Sequence, residues 1–77
     1  MPDAPTYSLD DLHTGAEQSS AYAEAARALA KLHAQYAKTR VGAEKHIALT
    51  MVEAHRVMAA HADALVALYQ KAVASCP

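Results

Sequence analysis

At 77 residues the chain has room for one small domain, and its net charge of −1 excludes the strongly basic balance of a dedicated nucleic-acid binder. Its hydrophobic fraction of 53% includes 20 alanines, beside seven Leu, five Val, three Met, one Ile, four Tyr and neither Phe nor Trp, so the core available to one chain is thin. The single cysteine, Cys76, rules out an intramolecular disulfide scaffold, and no apolar run approaches the ~18 residues that a membrane-spanning helix needs.

With two glycines, and prolines only at positions 2, 5 and 77, helix is expected almost throughout. No period-two alternation is long enough to predict a strand. Residues 1–7 read as a disordered lead to a single domain over 8–76. The opening Met1-Pro2-Asp3-Ala4-Pro5 has neither the basic nor the apolar region of a secretory signal, which gives a cytoplasmic expectation.

Ser8 is the first helix signal. It is placed to cap, with Asp11 three residues on, Asp10 and Asp11 at the positive helix end, and Tyr7 and Leu12 spaced as a hydrophobic staple. The first helix is expected over 8–40, beginning in earnest at Leu9. Leu9, Leu12, Ala16, Ala23, Ala26 and Ala30 form its apolar stripe, with Tyr22, Leu29, Leu32 and Tyr36 adjoining. Glu17, Glu24, Lys31 and Lys38 recur every seven residues on the polar side.

Thr39-Arg40-Val41-Gly42 reads as the end of this helix, with Gly42 suited to the left-handed position just past it. The alternative is one continuous helix, because the later stripe extrapolates back through Ala37, His33, Ala30 and Ala26. That form would require an oligomeric coiled coil. A second helix is expected over 43–75, with Ile47, Met51, Ala54, Met58, His61, Leu65, Leu68 and Ala72 in an a/d-like register. The predicted fold is therefore all-α: a two-helix antiparallel hairpin, completed as a helical bundle by self-association or by a partner.

Charge is uneven along the chain. Residues 1–26 carry only acids, whereas residues 27–45 carry Arg27, Lys31, Lys38, Arg40 and Lys45 against Glu44. Folding back would make the bend basic and the open end acidic, a polarity suited to antiparallel or head-to-tail association or to engaging a partner at the bend.

Five histidines invite a metal reading, but helical ligand pairs need three- or four-residue spacing. His33, His46, His55 and His61 make no such pair. Asp10, His13 and Glu17 have the spacing, although their helix-start position already accounts for the carboxylates. A bend near Val41 would also bring Tyr36 opposite His46, Tyr22 opposite His61 and His13 opposite Tyr69, three possible cross-helix hydrogen bonds. Ser8, Ser19, Ser20, Ser75 and Cys76 sit in no nucleophile motif, and phosphate-binding loops are absent, so neither an enzyme nor a cofactor is expected. Mixed charge and Ala-diluted faces also argue against a membrane-surface helix.

These readings favour a non-enzymatic protein–protein interaction module: a small adaptor, assembly subunit or cochaperone. Its partner would be another copy of itself or another helical protein, engaged through Ile47, Met51, Met58, His61, Leu65 and Leu68. The methionines would make that face adaptable. His61, between Met58 and Leu65, would be a packed ring. The alternatives are a nucleic-acid-binding bundle using the basic segment 27–45, which the negative net charge disfavours, and a His-mediated metal-binding bundle.

Overall fold

In the computed structural model, which describes residues 7–76, Ser8 is the N-cap of α1 (Leu9–Ala37). Its Oγ accepts a hydrogen bond from the Asp11 amide at 3.1 Å, and its carbonyl accepts from the Leu12 amide at 3.1 Å. Two helix-start amides are thus satisfied, and Asp10 and Asp11 lie where the helix dipole favours negative charge. Tyr7 and Leu12 border one hollow, as a staple would, although Tyr7 remains largely exposed. Residues 1–6 of the expected disordered lead lie outside the described residues.

The chain then turns back and forms α2 (Gly42–Ser75), packed antiparallel on α1, so the single continuous helix is excluded. The fold is an all-α, two-helix hairpin, and the described residues contain no strand.

The join differs from expectation in one respect. α1 ends at Ala37 rather than near position 40, because the carbonyls of Gln35, Tyr36 and Ala37 are taken by the amides of Lys38, Thr39 and Arg40 in tightened i→i+3 turns. The Thr39 hydroxyl also donates to the Tyr36 carbonyl at 3.0 Å. These bonds replace the glycine cap foreseen for α1. Gly42 has the left-handed backbone foreseen for it, φ 63°, but at the start of α2. There it redirects the chain after extended Val41, which supplies no side-chain cap.

The seam between the helices is made mostly of alanine. From α1 it takes Leu12, Ala23, Ala26, Ala30 and Ala37, and from α2 it takes Ala48, Val52, His55, Ala59 and Ala62. Small side chains let the helices approach closely, and Gly15 leaves room for the Tyr69 ring, which a Cβ placed there would overlap. Arg27 clamps the outside of the seam, its guanidinium donating to both carboxylate oxygens of Asp63 at 3.0–3.3 Å.

The buried register of α2 lies one residue along from the apolar stripe read in the sequence. Ala48, Val52, His55, Ala59 and Ala62 face α1, whereas Ile47, Met51, Ala54, Met58 and His61 do not. One residue is a rotation of about 100° about the helix. The smaller set takes the close seam, and the larger set is turned to its flank.

Candidate interaction surface

That rotation gives the hairpin two unlike broad sides. In an antiparallel pair, the positions immediately preceding the seam on both helices lie on one side, and those immediately following it lie on the other. The preceding positions of α2 are Ile47, Met51, Met58, His61, Leu65 and Leu68, and those of α1 include Tyr22, Leu29, Leu32 and Tyr36. The following positions include Glu17, Glu24, Arg27, Lys31 and Lys38 on α1, with Glu53, Arg56 and Asp63 on α2, beside one exposed large apolar residue, Leu49. One side is apolar and the other is charged.

The contacts agree with this division. Shallow hollows line the apolar side, one of them beside Gln18, Ser19 and His61, and three mark the run from bend to open end. The first lies between Tyr36, Ile47 and Met51, the second between Tyr22, Met58 and Leu65, and the third between Leu12, Leu65 and Leu68. The charged side holds the Arg27–Asp63 ion pair and a groove lined by Arg27, Lys31 and Arg56.

All six residues singled out from the sequence therefore share one face, and all six are exposed in the hairpin. Of the five apolar ones, Ile47 and Leu68 are the most open, at 61% and 62%, and Met51, Met58 and Leu65 are 37–38% exposed. Tyr22, Leu29, Leu32 and Tyr36 extend the face onto α1 and were missing from the set. The available signal was their three- and four-residue spacing, already visible as the stripe adjoining the seam.

The packed histidine of the hairpin is His55, not His61, whose ring is exposed. His55 is 8% exposed, and its Nδ1 lies 2.7 Å from the Met51 carbonyl. A carbonyl oxygen only accepts, so Nδ1 donates and carries a proton. The His55 ring stacks on that of His33, with centroids 5.3 Å apart and planes 24° apart. This pair was not foreseen, and the foreseen Tyr–His hydrogen bonds do not form. Tyr22 and His61 border the same hollow without bonding, Tyr36 lies beneath the Arg40 guanidinium at 4.2 Å, and Tyr69 packs over Gly15.

Two of the five basic residues in segment 27–45 have carboxylate neighbours: Arg27 on Asp63 at 3.0 Å and Arg40 near Glu44 at 3.7 Å. Among the described residues no group of three or more His, Cys, Asp or Glu side chains is placed to hold a metal ion, so Asp10, His13 and Glu17 do not converge on one. No helix among them is long and apolar enough to cross a membrane. Compared with protein-family models, curated proteins and solved structures, the chain matches none.

Proposed function

We propose that the hairpin is a non-enzymatic interaction module whose apolar side packs against helices of a partner. One observation carries the reading: the small side chains are inside and the large ones outside. The seam is built from alanines, while nine leucine, isoleucine, methionine and tyrosine side chains of the opposite size class share one exposed side. At ~25 cal/mol per Å² of apolar surface removed from water, covering that side is a substantial source of stabilisation. Cytoplasmic residence belongs to the same proposal, resting on a chain with one thiol and no disulfide framework; cell fractionation checks it.

The test is the state of the protein in native cell extract, followed by size exclusion and immunodetection. The wild type should elute in a complex heavier than the 8.2 kDa chain. Leu65→Asp should release it, because a carboxylate buried without a partner costs several kcal/mol. Lys31→Asp, on the charged side, should leave the complex intact. Elution of all three as monomers, or equal loss from both substitutions, refutes the reading.

A second reading draws on the groove of Arg27, Lys31 and Arg56, which offers phosphate a cluster of cations on the charged side. Filter binding with RNA and DNA at two salt concentrations tests it, since genuine phosphate contacts weaken steeply with salt.

A further inference from the structure

Resting on the interaction reading, which it narrows to one partner, we propose that the apolar side is covered by a second copy of this chain turned end for end. The two hairpins then close into an antiparallel four-helix bundle.

The exposed area fits a half-bundle. The chain exposes 6016 Å², against roughly 4500 Å² expected for a compact monomer of its mass. That excess belongs to the whole elongated chain, and on the apolar side it is carried by nine large side chains that are 37–62% exposed.

Charge selects the second copy and its direction. In the open half of the hairpin Asp10, Asp11, Glu17, Glu24 and Asp63 outnumber Lys71 by four. In the half nearest the bend Arg27, Lys31, Lys38, Arg40, Lys45 and Arg56 outnumber Glu44 and Glu53 by four. Each molecule is thus a rod with equal and opposite ends. Eight of these charges lie on the side turned away from the partner and act at a distance, yet the bias holds: a copy laid parallel sets like end against like, whereas a copy reversed sets each end against its complement. Asp11, on the apolar edge at the open end, then faces Arg40, which lies over Tyr36 at the bend.

The large side chains obey the same two-fold operation. Reversal about Met58 sets Ile47 of one copy against Leu68 of the other and Met51 against Leu65, all of them exposed in the single hairpin. Met58 sits at the midpoint of α2, where the two-fold axis passes.

Disulfide trapping of purified protein, in a Cys76→Ser background, tests the arrangement. Met58→Cys should link to itself. Leu68→Cys alone and Ile47→Cys alone should link at least about tenfold more slowly, and a mixture of the two should give the mixed dimer, because only there does assembly raise the local thiol concentration. Leu68→Cys linking to itself as fast as Met58→Cys would overturn the antiparallel arrangement. Failure of every variant to link, with wild type eluting as a monomer up to millimolar concentration, would overturn self-association. If Leu65→Asp still releases a complex in native extract, only the identity of the partner falls; if extract also yields a monomer, the interaction reading falls with it.

Discussion

His55 shows how one side chain sits in a seam too narrow for most polar groups. Its ring donates from Nδ1 to the Met51 carbonyl one turn back, and among the described residues no buried side-chain nitrogen or oxygen lacks a partner. That carbonyl also accepts the ordinary helical amide bond, so removal of the ring orphans nothing. His55→Leu should therefore change stability by less than about 1 kcal/mol, whereas His55→Asp should cost at least about 2 kcal/mol by placing an unpaired charge in the seam. Thermal melts at one fixed protein concentration distinguish the two. Gly15 is the complementary case. Alanine gains ~0.5–1 kcal/mol over glycine inside a helix, but here its methyl would displace the Tyr69 ring. Gly15→Ala should thus stabilise a Tyr69→Ala protein and give no gain, or a loss, in the wild type. A double-mutant cycle should return a coupling of about 1 kcal/mol, and zero coupling would refute the contact.

Each helix is defined by its ends and by the width of its seam. Alanines set that width, so Ala26→Leu should force the helices apart at about 1–3 kcal/mol, while Ala28→Leu, on the exposed back of α1, should be nearly neutral. Nothing lies within 4 Å of a Cβ added at Gly42, so its substitution isolates backbone strain. Gly42→Ala should lose about 1 kcal/mol and Gly42→Asn less, both measured by denaturant unfolding. The sequence was a good guide where local chemistry decides: Ser8 and Asp11 mark the start of α1, and Gly42 marks the turn. It was a poorer guide to rotation. Periodicity weights residues by size, so Ile47, Met51 and Met58 look like the inner register, while a close seam prefers Ala48, Val52 and Ala59 beside them. The His33–His55 stack was hidden for another reason. Side chains lean toward the N-terminus of their own helix, so across an antiparallel seam partners meet out of step with the level positions that simple folding-back pairs.

For the molecule as a whole, the dimensions of 61 × 22 × 14 Å describe a slab. Its Cα radius of gyration is 17.7 Å, against roughly 11.5 Å for a compact domain of this length. One broad side of that slab is charged and the other apolar, so the six residues expected to meet a partner were legible as a set even though their place relative to the seam was not. Their spacing keeps them together whichever way the helix rotates. The identity of any partner is not encoded in one chain's periodicity. End-for-end pairing driven partly by charge also has a solution signature. Arg40→Glu should weaken association, and Asp11→Arg added to it should restore much of the loss; sedimentation at low salt reads both.

The turn at residues 38–41 also sets an order of events in time. Pairs beside it, such as Tyr36 and Ile47, are separated by few residues of chain, whereas Leu12 and Tyr69 are joined only through nearly the whole sequence. Loop-closure entropy grows with that separation, so the hairpin should zip from the turn outward and unzip from the far end inward. Native-state amide exchange should record it as a gradient. Protection should be highest in the last turns of α1 and the first full turns of α2, and should fall steadily toward Leu12 and Val73. Uniform protection along both helices would mean that the slab opens only as one unit.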